Sequence, residues 1–182
     1  METYGDDEKA LPSEKTTYRE QIIRGIENKW TGKVKIKGYR VKVKMNVIDG
    51  GELGYYRKDQ KFNTVNVIDK DGTSATTVGE WKRNKSYNVK LYTGFKSGGK
   101  RTASDVRNTA AHEFGHVFGV EDAYKYEISD KISPKKDLMR WNAGVTPQMT
   151  KYDVIMVLRA FTYNKYQRWS RYDKMVKKKE YE

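Results

Sequence analysis

The segment His112-Glu113-Phe114-Gly115-His116 constrains the fold most, because it contains both histidines of this 182-residue chain. Two histidines at positions i and i+4 project from the same face of an α-helix, one turn apart. Their imidazoles can then bind one zinc ion at about 2.0–2.1 Å, and a glutamate next to the first histidine can reach a water molecule at the metal. The segment therefore predicts a helix that supplies two metal ligands and a carboxylate for proton transfer.

A third ligand has to come from elsewhere, because catalytic zinc sites use three protein ligands and keep one open position. The chain has no further histidine and no cysteine, so we expect the third donor to be a carboxylate oxygen. Gly119 lets the helix end and the chain turn sharply. The next acidic residues are Glu121 and Asp122, and the residues alone leave both open as the third ligand.

Residues 112–122 resemble the extended zinc-binding motif of the metzincin peptidases, in which the HExxH helix is followed by a glycine and a third ligand. The pattern HExxHxxGxxD is similar to that of the snapalysin-like subgroup, which implies that His112, His116 and Asp122 bind zinc. The resemblance also implies a zinc endopeptidase in which Glu113 is the general base.

Two more residues match the resemblance. Tyr124 lies two positions beyond Asp122, which implies either donation from its hydroxyl to an oxyanion or contact with a zinc ligand. Met139, 23 residues after His116, fits the methionine turn of metzincins and implies a hydrophobic floor beneath the zinc. The strand expected at 87–93, just before the motif helix, is a candidate for pairing with an extended peptide substrate.

Periodicity and turn signals predict an α+β fold: a helix, several strands, the motif helix, a loop and a last helix. The metzincin resemblance implies a zincin-like arrangement, with a small mixed sheet, an active-site helix and a C-terminal helix. Strands are expected at 34–36, 39–47, 63–68 and 87–93, with a bulge or turn at Gly38. The expected organisation is a flexible lead-in at 1–15, a metallopeptidase domain at 16–165 and a basic aromatic tail at 166–182.

Three capping boxes mark where the helices should begin. In each box a threonine is followed three residues later by an acidic residue, and the pairs are Thr17 with Glu20, Thr102 with Asp105, and Thr150 with Asp153. Thr16 is the alternative cap of the first helix. Apolar stripes then predict the buried helix faces. The stripe of the first helix is Tyr18, Ile22, Ile26 and Trp30, and that of the last helix is Val154, Val157, Leu158 and Phe161.

The formal net charge of +13 favours acidic partners, although a solvated basic surface is the plainer interpretation. One alternative keeps the zinc chemistry and makes the chain the toxin domain of a delivered bacterial effector, with an acidic immunity or inhibitor protein as its partner. A second alternative is a nucleic-acid-binding protein with a structural zinc, which the lack of four ligands and of cysteine disfavours. The Asp-rich turns lack the ligand spacing of a calcium loop.

The N-terminal residues are acidic and polar, without the basic and apolar regions of a signal peptide. No apolar run is long enough to cross a bilayer, so we expect no membrane insertion. The metzincin resemblance implies a secreted or delivered protein, although the chain shows no signal peptide, and a cytoplasmic location stays open. The expected partner is a protein or peptide substrate, with Zn²⁺ as the cofactor.

Overall fold

The computed structural model describes residues 2–5, 16–50, 62–125, 136–140 and 146–171. It has α+β architecture, as the sequence predicted. The helices are α1 (Tyr18–Lys29), α2 (Ala103–Val117) and α3 (Lys151–Tyr163), with short 3-10 helices at Ala123–Lys125 and Leu138–Arg140. The strands are β1 (Glu2–Gly5), β2 (Gly32–Ile36), β3 (Tyr39–Val43), β4 (Thr64–Gly72), β5 (Ala75–Thr77) and β6 (Asn88–Phe95).

Two sheets are formed by these strands. The larger is mixed and has the order β1-β4-β6-β5, in which β1, β4 and β6 are parallel and β5 is antiparallel to β6. The smaller is the hairpin of β2 and β3. Helix α2 packs between α1 and the larger sheet, so the motif helix lies at the centre of the fold.

All three predicted capping boxes are confirmed. At each helix start the threonine hydroxyl accepts the N3 backbone N–H, and the acidic N3 side chain accepts the threonine backbone N–H. The apolar stripe of α1 is also confirmed, because all four of its members are buried. The capping box and the apolar stripe were therefore sufficient to predict where α1 begins and which of its faces is buried.

The buried face of α3 differs from the prediction. Val154 is buried, but Leu158 and Phe161 are 55% and 38% exposed, whereas Met156 and Ala160 are buried. The face is rotated because Asp153, at the helix start, is fully buried and forms part of the contact with the rest of the fold. A periodicity based on apolar residues alone could not include it.

The predicted strands are present with changed limits. The turn at Gly38 is confirmed: Lys37 and Gly38 both have positive φ, as a tight hairpin turn requires. The Asp-rich segment 69–72, expected to end a strand, instead continues β4 beyond a register shift. Strand β5 was not predicted, because three residues are too few to show a period.

Two segments outside the predicted 16–165 domain take part in the described fold. Residues 2–5, assigned to a flexible lead-in, form β1 and pair with β4, while residues 6–15 lie outside the described part of the chain. The tail was expected to begin at 166, but Trp169 is fully buried and its indole donates to the Glu121 carbonyl at 2.7 Å. Burial of so large a side chain joins residues 166–171 to the domain; residues 172–182 lie outside the described ranges. Among the described helices none is long and apolar enough to cross a membrane.

Candidate metal centre

Helix α2 presents both histidines to one side, and both are buried. The helix can lie deep in the fold because its middle is small, with Ala110, Ala111 and Gly115 on its surface. A Cβ added at Gly115 would overlap the Met139 side chain and lie 3.2 Å from the Trp30 ring. Close packing on this side fixes the helix beneath the candidate site.

Backbone carbonyls hold both imidazoles. The Nδ1 atom of His112 lies 2.8 Å from the Leu138 carbonyl oxygen, and the Nδ1 atom of His116 lies 2.8 Å from the Val120 carbonyl oxygen. A carbonyl oxygen only accepts, so each Nδ1 carries the proton of its bond. In a neutral imidazole the remaining nitrogen, Nε2, then offers a lone pair.

Asp122 is brought to the histidines by the turn after α2. Gly119 has φ of 89°, and an added Cβ there would lie 2.7 Å from Ala160 Cβ, so glycine is required on both counts. The Asp122 Oδ1 atom is 3.1 Å from Nε2 of His112 and 3.1 Å from Nε2 of His116. Of the two acidic residues that the spacing left open, the structure brings Asp122, not Glu121, into the group.

These three residues form a group that could hold a metal ion. One donor atom from each of His112, His116 and Asp122 lies within 4.8 Å of the others, and all three side chains are buried. Two imidazole lone pairs and a carboxylate oxygen are all electron donors, so a cation between them satisfies all three at once. The donor set therefore fits a divalent cation on chemical grounds.

The same arrangement affects the proton equilibrium of His112 in the metal-free chain. Burial lowers its pKa, but the hydrogen bond to Asp122 and the nearby Glu113 carboxylate outweigh burial and leave the pKa above the ordinary 6.5. A proton or a metal ion can thus occupy this place, and protons compete with the metal at low pH.

Glu113 is buried beside this group without belonging to it. The Thr76 hydroxyl lies 2.9 Å from Glu113 Oε2 and 3.0 Å from the Glu113 carbonyl oxygen. Thr76 is in β5, so a strand residue fixes the glutamate of the motif helix. Thr76, Glu113 and all three candidate ligands line one cavity of about 420 Å³.

Tyr124 stacks on the His112 ring, with ring centroids 6.3 Å apart and an angle of 22° between the rings. Burial, the negative charge of Asp122 and a hydrogen bond to that carboxylate raise the pKa of Tyr124 to about 12. Of the two roles implied by the resemblance, this geometry favours contact with a ligand. Donation to an oxyanion stays a prediction.

Tyr166 is a site residue that the sequence did not reveal. Its hydroxyl donates to the Val120 carbonyl oxygen at 3.0 Å and lies 3.3 Å from His116 Nδ1. Burial and the carboxylates of Asp122, Glu121 and Glu113 raise its pKa above the usual value of 10. No spacing rule connects position 166 with position 116, and the basic residues around Tyr166 indicated a tail.

Met139 lies beneath the site, where the resemblance puts a methionine. It is fully buried, and its Cε would be 2.8 Å from a Cβ added at Gly115 on α2. The preceding residue, Leu138, supplies the carbonyl that holds His112. The segment therefore supports the motif helix by packing and by a hydrogen bond.

The strand that the sequence offered for pairing with a substrate lies inside the sheet and not at its edge. Strand β6, which corresponds to the predicted 87–93, lies between β4 and β5, so neighbouring strands already use its backbone groups. Among the described strands the sheet has its edges at β1 and β5, and the β5 residues Ala75 and Thr76 line the cavity that contains the candidate ligands. A sequence pattern cannot show strand order, which is why the edge was misassigned.

Comparisons with protein-family models, with curated proteins and with solved structures found no match to the chain. What the fold and the site define is therefore a class of site. It is a buried two-histidine, one-carboxylate group that could hold a metal ion, beside an open cavity and a second carboxylate.

Proposed function

We propose that this chain is a zinc endopeptidase of metzincin type, with His112, His116 and Asp122 as ligands. The observation that carries the proposal is the convergence of two Nε2 atoms on one Asp122 oxygen, each at 3.1 Å. Nitrogen and oxygen donors of this kind suit zinc, and three protein ligands leave a position open for chemistry. The agreement of Met139 and Gly119 with the metzincin pattern supports the assignment.

Glu113 is the proton-transfer group of the proposed reaction. When bound, zinc supplies Lewis-acid polarisation of the substrate carbonyl and of a water molecule. Glu113 accepts a proton from the attacking water and then donates it to the leaving amine. The hydrogen bond from Thr76 at 2.9 Å keeps the Glu113 carboxylate in one orientation for both transfers.

The edge of β5 is the proposed docking line for an extended peptide. Within the part of the chain that the structure describes, β5 pairs only with β6. We propose that its other edge accepts the further strand. Because β5 borders the cavity, a peptide paired there passes close to the candidate ligands. Backbone pairing fixes the direction of the peptide and leaves side-chain preference to the rest of the cavity.

Two other chemistries share part of this site. A structural zinc would take four ligands, whereas the group found within the described ranges has three. Two histidines and one carboxylate also suit non-haem iron oxygenases. The buried Glu113, held by Thr76 outside the ligand group, favours hydrolysis, since it supplies the proton acceptor that a peptidase needs.

Metal binding and peptide cleavage by three single variants test the proposal. Glu113→Gln should bind one zinc per chain and lose turnover by at least about 10²-fold, because the base is removed and the ligands are kept. Asp122→Ala should lower zinc affinity by at least about 10²-fold, more than the loss of an outer-shell partner usually does. Glu121→Ala is the matched control and should keep both properties.

Zinc binding is measured by titration of chelator-treated protein, and cleavage by mass spectrometry of a peptide mixture. Normal zinc binding by Asp122→Ala together with weak binding by Glu121→Ala would show that the third ligand is misassigned. Zinc binding by the native chain with no cleavage of any peptide would refute the peptidase while leaving the metal centre in place.

A further inference from the structure

The hairpin of β2 and β3 places like charges directly opposite each other. Lys33 is paired with Lys42, and Lys35 is paired with Arg40. Like charges at facing positions of an antiparallel pair destabilise it, whereas opposite charges would stabilise it. Folding alone gives no reason for two such pairs in one five-residue hairpin, so they point to a use outside the fold.

These four side chains, the cationic face, all lie on the exposed side of the hairpin. The alternate positions form the other side, where Val34 is opposite Val41 and Ile36 is opposite Tyr39. The valines and the isoleucine are partly buried. The strand period therefore sorts the hairpin into one apolar side and one side made only of cations.

No carboxylate is available within this stretch to neutralise the face. Residues 28–48 contain seven lysines and arginines and no aspartate or glutamate. The acidic residues on either side are engaged elsewhere: Glu27 accepts the Val47 N–H at 2.9 Å, and Asp49 binds Arg19 at 2.7 and 2.9 Å. Within the described ranges, no ion pair involves a member of the cationic face.

We propose that the cationic face binds double-stranded DNA, through the phosphates that border the major groove. Cations two positions apart on a strand are about 7 Å apart, and the two strands are about 5 Å apart. A two-stranded ribbon of this size enters the major groove of B-DNA, which is about 12 Å wide, and its long side chains then reach phosphates on both sides. Neutralising phosphates releases counterions, which drives the association.

The residues of the cationic face favour duplex DNA over single-stranded nucleic acid and over an anionic membrane surface. Single-stranded nucleic acid is bound by aromatic side chains on which bases stack, and the cationic face has none. An anionic membrane surface is bound best by apolar residues next to the cations, and the face has none of these either. Tyr39 is exposed but belongs to the opposite side of the hairpin.

The DNA face and the metal centre use different parts of the chain. The cavity that contains the candidate ligands is lined by some of the residues in 73–79 and 112–124 and by Tyr166 and Arg168, and none of its lining residues comes from β2 or β3. DNA binding is therefore independent of the proposed peptidase activity. It can be measured on metal-free protein, so its failure and the failure of the proposed function are distinguishable.

Two quadruple variants of equal charge test the proposal. The first replaces the cationic face, Lys33, Lys35, Arg40 and Lys42, with glutamine. The control replaces four exposed lysines outside the hairpin, Lys70, Lys90, Lys96 and Lys151, with glutamine. Each lowers the formal net charge of +13 by four, so any effect of total charge is the same in both.

Fluorescence anisotropy of a short labelled DNA duplex is measured over a salt series. For the native chain, log Kd should rise linearly with log salt, and the slope should fall by about 3–4 in the face variant, at about 0.9 per phosphate contact. The control should change the slope by less than about 1. Thermal unfolding should show the face variant to be at least as stable as the native chain, since two repulsive pairs are gone.

Equal slopes for the two variants would overturn the proposal, because total charge alone would then explain binding. So would tighter binding of single-stranded DNA, or of phosphatidylserine vesicles, than of the duplex by the native chain. A face variant that unfolds at a lower temperature would contradict the repulsion on which the argument depends.

Discussion

At the scale of single residues, the candidate site depends on which atom of each side chain is already occupied. The Nδ1 atoms of His112 and His116 are held by carbonyl oxygens, and this leaves both Nε2 atoms directed at Asp122. Glu113 has no contact of this kind with the group and is held by Thr76 instead. Hydrogen bonds around the site thus separate the candidate ligands from the proposed base.

Thr76→Val should lower kcat by about 10- to 100-fold, because a hydrogen bond to a charged group contributes about 1.5–3 kcal/mol and about 1.4 kcal/mol is tenfold in rate. Valine keeps the β-branched shape that suits β5. Zinc affinity and KM should change little. The Thr76 hydroxyl bonds Glu113, which is not a proposed zinc ligand, and the substitution leaves the backbone of β5 unchanged. Steady-state cleavage kinetics give the split between kcat and KM.

Thr76→Ser is the matched control and should restore kcat, because serine retains the hydroxyl. Equal kcat for the valine variant and the native chain would show that Thr76 does not position Glu113. This prediction depends on the proposed peptidase activity.

The sequence could predict the candidate ligands on α2 because a helix has a known period, and two histidines at i and i+4 must share a face. It could narrow the third ligand to Glu121 or Asp122, and the family resemblance favoured the residue that the structure brings into the group. Thr76 and Tyr166 could not be predicted. Their contacts with Glu113 and His116 span 37 and 50 residues, and such contacts follow from tertiary packing.

At the scale of elements, α1 and α2 approach each other through a glycine. A Cβ added at Gly25 would lie 2.7 Å from the Arg107 Cα and would also overlap the Arg107 carbonyl oxygen, which is backbone and cannot rotate away. The Gln21 side chain of α1 also accepts a hydrogen bond from the Arg107 guanidinium at this crossing. The distance between α1 and the motif helix α2 is therefore set by the contact of Gly25 with the Arg107 backbone.

Gly25→Ala should destabilise the fold by about 1–3 kcal/mol, since overpacking against backbone outweighs the gain in helix propensity of about 1 kcal/mol. Urea unfolding gives the free energy. Asn28→Ala, on the exposed side of α1, is the control and should stay within about 0.5 kcal/mol of the native chain. A Gly25→Ala variant as stable as the control would show that α1 and α2 can move apart without loss of folding free energy.

Helices and strands of five or more residues were predictable from their hydrophobic periodicity, and the two shorter strands were not. The helices start at their capping boxes, and β2, β3, β4 and β6 lie close to the alternating segments. Strands β1 and β5 have four and three residues, and their pairing with β4 and β6 gives them their structure. The edge position of β5, on which the proposed pairing with a peptide depends, is a property of the sheet and of no single segment.

At the scale of the whole molecule, a buried carboxyl pair joins the segment under the site to α3. Asp137 Oδ1 accepts the Met139 N–H at 2.9 Å, and the Thr150 hydroxyl lies 3.0 Å from Asp137 Oδ2 and 3.0 Å from Asp153 Oδ2. One hydroxyl proton cannot be donated to both carboxylates at once. The two buried carboxyl groups meet at this one hydroxyl, and a proton retained on one of them removes the repulsion between two buried charges.

Loss of a proton from this pair should lower the free energy of unfolding as pH rises. Burial raises the pKa of Asp137 to about 6, and burial together with the charge of Asp137 raises the pKa of Asp153. For an acid whose folded pKa is above its unfolded value of about 3.8, the stabilisation is complete below pH 4. It is lost as pH rises through about 6, where the folded state must ionise a buried group.

Asp137→Asn should remove most of this dependence, because its amide keeps an oxygen for Met139 N–H and gains donors for Thr150 without titrating. Urea unfolding of both chains is followed from about pH 4 to about pH 7 with chelator present, so that metal binding does not contribute. The free energy of the native chain minus that of Asp137→Asn should fall by about 1–3 kcal/mol over this range. A difference that stays constant or rises with pH would mean that both carboxyl groups ionise without cost, and that the link between the site and α3 does not depend on a retained proton.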